Sequence, residues 1–291
     1  MPDNRRMARR IGPLGAIAAA GILAAGLLGA GHLATRPDPS PGPGAQPAFA
    51  LVSPPAPGVL PLGESAAPTA RTGAVLVGTG PVSVHYTFDA GVGHPVTDTT
   101  GGHELRVLGQ NGGRLSLVPQ GLGLAVAFPQ RCQLPHERDC PRAILEGERD
   151  DTLNPGTRPL RYGASVLMSR ADLADGANVL QKGYSVGGVS QFKLQVDHQL
   201  GHPSCVVVGQ GRIYRAEPAL NVADGSWHEL TCERSAARLT IMVDGVERAS
   251  VPVPRTLSIA NAEPLRVGGK GPNKGNDQYA GQIDNVFLEI P

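Results

Sequence analysis

The chain has 291 residues, with 26 Lys and Arg against 25 Asp and Glu, a net charge of +1. That balance gives no reason to expect a nucleic acid or a strongly acidic partner, and the length suits one large domain or two small ones. The 39 Gly and 27 Pro favour many turns and at least one unstructured segment, while aromatics are only 4%, few for a surface that stacks on sugar rings.

Residues 1–36 read as a targeting segment. Arg5, Arg6, Arg9 and Arg10 precede an apolar run from Ile11 to about Leu28 that continues weakly to Ala34. Gly29-Ala30-Gly31 offers small residues for cleavage. Uncleaved, the run from Ile11 to Ala34 is long enough to cross a bilayer of roughly 30 Å at about 1.5 Å per residue. Both a cleaved signal peptide and a signal anchor stay open. Either way the remainder is expected outside the cytoplasm, secreted or held at the surface by one N-terminal membrane helix. Residues 37–72, with Pro-Asp-Pro-Ser-Pro-Gly-Pro-Gly and Ser-Pro-Pro-Ala-Pro-Gly, can neither pair a ladder nor hold a helix. They are expected to form a disordered, semi-rigid stalk before a domain spanning 73–291.

Within that domain the pattern is short alternating runs. Val82, Val84, Tyr86 and Phe88 alternate with polar residues up to Asp89-Ala90-Gly91. Leu115–Leu117, Leu124–Phe128 and Gln191–Val196 follow, the last with Phe192, Leu194 and Val196 on one face. Ser204–Val208 is more continuously apolar, as in a strand covered on both sides. In Trp227–Val246, Leu230 and Cys232 lie on one face of a strand. Ser235–Arg238 breaks it, and Leu239, Ile241 and Val243 form the next. Asp244-Gly245 is then a two-residue hairpin signal, so this stretch predicts an antiparallel meander. Leu265–Val267 and Ile283–Ile290 complete the set. Short strands with Gly-rich turns and no helical spacing predict a two-sheet antiparallel sandwich.

Four cysteines allow three pairings. Export favours disulfides, with Cys132–Cys140 as a local staple and Cys205–Cys232 joining neighbouring strands. The chain-entropy terms are about 2.5 and about 3.5 kcal/mol. A cysteine metal site lacks CxxC spacing. Glu146, Glu148 and Asp150 alternate; as a strand over Ile144–Asp150 they would share a face, with neighbours roughly 7 Å apart. Paired carboxylates of this kind suit glycoside hydrolysis. The alternative is a strand end running into a solvated acidic loop. The histidines are scattered, and Gly268–Gly275 lacks phosphate-loop order.

The W-H-x-L pattern at Trp227, the L-x-I-x-V-D-G-V pattern at Leu239, Gly281-Gln282-Ile283-Asp284-Asn285-Val286 and Tyr86-Thr87-Phe88-Asp89 together resemble the laminin G-like, concanavalin A-type jelly-roll family. The resemblance spans about residues 82–290 and implies a jelly-roll sandwich. Such domains often hold one Ca²⁺ at the sandwich edge. The matching positions are Asp89 and Asp284, with Asn285 as a nearby oxygen donor. The acidic strand is similar to that of laminarinase-type glucanases but departs from it in the order of acids. The family contains binding modules, structural domains and enzymes. The leading expectation is an exported, non-catalytic module that binds an extracellular carbohydrate or protein. Two alternatives are a glycan-cleaving enzyme using Glu146 and Glu148, and a structural surface domain packing on a partner protein. Recognition is expected at a sheet face or at loops Gly183–Ser190, Gly209–Arg215 and Gly268–Asp277, with Tyr184, Gln191, Tyr214 and Lys270 as contacts.

Overall fold

The computed structural model describes residues 74–173, 176–185, 189–197 and 199–291. The expected targeting segment and stalk lie outside the described residues. Among the described residues no helix is long and apolar enough to cross a membrane.

Among the described residues, sixteen strands form two antiparallel sheets. The first eight are β1 (Val82–Tyr86), β2 (Val96–Thr97), β3 (Glu104–Gln110), β4 (Ser116–Gln120), β5 (Gly123–Ala127), β6 (Arg142–Glu146), β7 (Leu160–Leu167) and β8 (Ala177–Gly183). The rest are β9 (Gln191–Val196), β10 (Pro203–Gly209), β11 (Arg212–Ala216), β12 (Trp227–Arg234), β13 (Arg238–Val243), β14 (Val246–Pro252), β15 (Leu265–Val267) and β16 (Gln282–Ile290). The first sheet runs β14-β13-β12-β7-β16-β5-β4, with β1 also on β16. The second runs β11-β10-β9-β8-β15-β6-β3-β2.

The expected meander is β12-β13-β14. Asp244 and Gly245 both take positive φ, 54° and 74°, the pair of left-handed residues that a tight two-residue hairpin demands. His228 explains why a histidine follows Trp227: its Nδ1 lies 2.9 Å from an Asp244 carboxylate oxygen and its Nε2 3.2 Å from Asp224. The side chain therefore clamps the hairpin turn to the strand beside it. Partial burial pushes the His228 pKa down, but the two carboxylates outweigh it and leave it above its ordinary value.

The core fills from both inner faces. Leu230, Cys232 and Ile241 of the first sheet meet Phe192, Leu194 and Val207 of the second. Tyr162 crosses the gap: its ring centroid is 5.1 Å from that of Phe192, and its hydroxyl donates to the Lys193 and Val206 carbonyls. The disulfide Cys205–Cys232 joins β10 to β12, so it ties one sheet to the other through the core rather than linking adjacent strands. Cys132–Cys140 closes the loop ahead of β6. Trp227 is only half-buried and stands outside the core cluster, because it begins β12 at the rim.

Candidate ligand-binding face and rim cleft

Directly opposed residues of antiparallel strands share a face. The register therefore lays one row across the outer face of the second sheet: Arg215, Val206, Lys193, Gln181, Arg266, Glu146 and Arg106, one from each of β11, β10, β9, β8, β15, β6 and β3. At the usual strand spacing the row is roughly 28 Å long. A second row beside it holds Ser204, Gln195 and Asn178, and Gln191 flanks the other side.

An outer sheet face normally puts polar groups into water. Here Asn178, Gln181 and Ser204 are 0% exposed and Gln191 is 2% exposed. Some of their valences are met. Asn178 Nδ2 donates to Gln181 Oε1 at 2.7 Å, while Gln181 and Gln191 both donate to the Gly183 carbonyl. Asn178 Oδ1, Gln191 Oε1 and Ser204 Oγ have no hydrogen-bond partner among the described residues. Each such buried orphan costs about 1–3 kcal/mol, and such groups call for a water, an ion or a ligand.

Cationic groups line the same face. Arg266 is bonded to Glu146 and to Glu263, and its guanidinium lies 5.3 Å from the Tyr184 ring centroid. Burial brings the Lys193 ammonium down to about 8; nearby Asp277 opposes this, while Lys270 and Arg215 add to it. Tyr184 donates its hydroxyl to the Lys270 carbonyl, and Lys270 pairs with Asp277 at 2.8 Å. The Gly268–Gly275 stretch is an inter-strand loop over this face: a Cβ on Gly269 would meet Ile144 at 2.8 Å.

Of the four expected contacts, the structure thus brings Tyr184, Lys270 and Gln191 to one face. Tyr214 does not join them. It is paired with Val207 and packs against the core from the other side of the sheet. The Gly209–Arg215 loop is also shorter than expected, since Arg212 already begins β11. In the loop Gly183–Ser190, residues 186–188 lie outside the described residues.

The acidic triplet does not form a strand face. β6 ends at Glu146; Glu148 lies beyond it with 85% of its side chain exposed, and Asp150 caps a short 3₁₀ turn by accepting from Thr152 N. Gly147 and the turn break the alternation that the expected strand required. The three acids still border one cleft of about 480 Å³ at the sandwich rim, with His103, Arg106 and Tyr86. His103 Nδ1 is bonded to Asp150 at 2.8 Å. That bond is the main cause of a raised His103 pKa and draws the Asp150 carboxyl down to about 2. Tyr86 is 1% exposed and its hydroxyl has no partner among the described residues. Glu146 and Arg106 belong to both cleft and row, so the two surfaces are continuous.

Asp89 and Asp284 meet where β16 changes partner. Its first residues pair with β5 and its last five with β1, and a bulge at Asn285, φ 49°, separates the two. Asp89 accepts from Leu124 N at 2.8 Å. Asp284 is 5% exposed and accepts from both Asn285 nitrogens. Burial raises its pKa, and the nearby Asp89 charge raises it further. Two mutually repelling carboxylates, one buried, fit a hard cation such as Ca²⁺.

Residues 164–288 match the family described as the concanavalin A-like lectin/glucanases superfamily. The fold is concanavalin A-like. No curated protein matches the chain. Among solved structures, domain 4 of AbnA, an extracellular arabinanase from Geobacillus stearothermophilus in complex with arabinotriose, aligns with TM-score 0.54 and 15% identity, over 71% of this chain and 91% of that one. The binding domain of Paraclostridial Mosquitocidal Protein 1 aligns with TM-score 0.52 and 10% identity, over 70% and 48%. The binding domain of Botulinum Neurotoxin DC in complex with SialylT gives 0.50 and 11%, over 70% and 47%. At these identities the concanavalin A-like domain shares their fold; the two toxin domains are matched over about half their length.

Proposed function

We propose that the domain is an exported, non-catalytic binding module for an extracellular glycan, seated along the row from Arg215 to Arg106 and the adjoining rim cleft. The observation that carries this is the charged row itself, in which Arg215, Lys193, Arg266 and Arg106 alternate with Val206, Gln181 and Glu146 and run into the rim cleft. Strands hold these groups in place, so a ligand laid along the row meets preorganised partners. The row carries four cationic side chains and one carboxylate, which favours glycans bearing acidic groups. That two of the fold neighbours are sugar complexes supports the same reading. Calcium at Asp89 and Asp284, held with Asn285, would fix the junction where β16 changes partner.

The test is binding of the full chain to a panel of neutral and acidic glycans at low and high salt. Salt-sensitive binding to acidic glycans, weakened at least tenfold by Lys193→Met, is expected; binding indifferent to Lys193→Met overturns the assignment. A second reading, glycan cleavage, has one observation in its favour: Glu146, Glu148 and Asp150 border a single cleft. Product release that disappears in a Glu146→Gln/Glu148→Gln variant would replace the binding reading with that one.

A further inference from the structure

The hairpin between β9 and β10, together with the chain leaving β11, brings three ligating side chains to one point. Asp197 ends β9, His202 precedes β10 and Glu217 follows β11; their ligating atoms all lie within 4.8 Å of one another. His202 Nδ1 is 3.8 Å from Asp197 Oδ2 and 4.0 Å from Glu217 Oε1. Both distances are too long for a hydrogen bond. Mutual attraction has therefore not closed the gap between an imidazole nitrogen and two carboxylate oxygens.

The rest of the structure holds those atoms where they are. Asp197 Oδ1 accepts from the backbone N–H groups of Gln199, Leu200 and Gly201, which fixes the carboxylate and turns Oδ2 towards His202. Partial burial pushes the Asp197 pKa up, but these three amides bring it below its ordinary value, so the group is ionised at neutral pH. The other Glu217 oxygen is engaged by Arg215, leaving Oε1 directed at His202. All three side chains are half-buried, sheltered enough to limit competition from water and open enough for an ion to enter.

We propose that Asp197, His202 and Glu217 form a binding site for a divalent transition-metal ion of the zinc or manganese class. One imidazole nitrogen and two carboxylate oxygens make a borderline donor set. It suits these ions better than calcium, which takes six to eight oxygens. Metal bonds of about 2.0–2.2 Å would draw the His202 nitrogen and the two carboxylate oxygens closer together than they now lie. Three protein ligands leave a further coordination position for water or a ligand group. The site pins the β9–β10–β11 edge, and Arg215, which braces Glu217, is the end residue of the proposed glycan row. No thiol competes for the metal among the described residues, because all four cysteines are in disulfides.

The test is calorimetric titration of the full chain with Zn²⁺, Mn²⁺ and Ca²⁺, after stripping with chelator. One saturable Zn²⁺ or Mn²⁺ site is expected, with Ca²⁺ weaker there by at least tenfold. Glu217→Gln, which keeps shape and removes charge, and His202→Ala should each weaken it at least tenfold. His94→Ala, at an exposed histidine away from the cluster, should leave it unchanged. A thermal melt in chelator checks that the variants fold as the parent does. No saturable transition-metal binding, or equal affinity in parent and Glu217→Gln, overturns the proposal. Glycan binding is measured on other residues, so the two readings stand or fall separately.

Discussion

Removing Cys205–Cys232 should cost more stability than removing Cys132–Cys140, and the difference follows from where each bond lies. The first closes a separation of 27 residues and the second one of 8. Chain entropy then assigns about 3.5 and about 2.5 kcal/mol. The first pair adds a packing loss, because Cys205 and Cys232 are both 0% exposed between the sheets. Replacing each by Ala deletes one heavy atom from a close-packed core, about 1 kcal/mol together after partial relaxation. The Cys205→Ala/Cys232→Ala chain should therefore lose about 4–5 kcal/mol, roughly 10–20 °C in Tm for a domain of this size. The Cys132→Ala/Cys140→Ala chain should lose about half as much. Urea titrations of both chains and the parent, followed by tryptophan fluorescence and circular dichroism, give the free energies directly. Equal losses, or a loss under about 1 kcal/mol for the inter-sheet pair, would show that the core bond does not constrain the two sheets as argued.

Two further predictions concern charge. Lys182 is fully buried, its ammonium donating to Asn154 Oδ1 and to two oxygens of Asn261, and burial lowers its pKa from 10.5 to about 8. The unfolded chain thus binds more protons between pH 8 and 10.5, so stability should rise over that window, by up to about 1.4 kcal/mol per pH unit for this group. Lys193, which burial brings down to about 8 as well, adds a comparable slope. Lys182→Met should flatten the rise in denaturant titrations across this pH range; an unchanged slope would refute the assignment. At Asp284, where burial and Asp89 raise the pKa, calcium should raise the Tm of the parent chain, and Asp284→Asn should abolish the increment. A calcium shift that survives in Asp284→Asn would place the ion elsewhere.

The sandwich was legible because its signals are local. The meander needs only alternation at Leu230, Cys232, Leu239 and Ile241 and two left-handed residues at Asp244-Gly245. The Trp227-His228 and Asp244-Gly245 motifs are bonded to each other through His228. β8 was not legible: a bulge between Asn178 and Leu180 breaks its alternation, and all seven residues are buried, so apolar and polar types mix. β7 was missed for a related reason. Gly163 interrupts it, and a Cβ there would meet the Leu230 carbonyl at 2.2 Å.

The binding face was hidden for a different reason, since it is a product of register. Arg266 between Leu265 and Val267 was a readable sign of a polar face, but its neighbours Gln181, Glu146 and Lys193 lie 85, 120 and 73 positions away in sequence. The carboxylates at Glu146, Glu148 and Asp150 were visible as a pattern. Their true relation, a strand end, an exposed acid and a turn cap around one cleft, depends on the chain turning after Glu146.

A polar group buried without a partner should make the fold less stable, and Ser204 puts that to a clean test. Its hydroxyl is fully buried without a partner among the described residues, so it contributes no hydrogen bond there. Ser204→Ala removes the unmet oxygen at little cost in volume and should stabilise the chain by about 1 kcal/mol. Because the hydroxyl is covered, a glycan lying on the row does not reach it, so affinity should stay within about twofold, about 0.4 kcal/mol. Stability raised with binding unchanged would separate this covered group from the charged residues of the row, whose removal should weaken binding. Paired melts and glycan titrations of parent and Ser204→Ala measure both. A destabilised variant with undiminished binding would mean that the hydroxyl serves the fold.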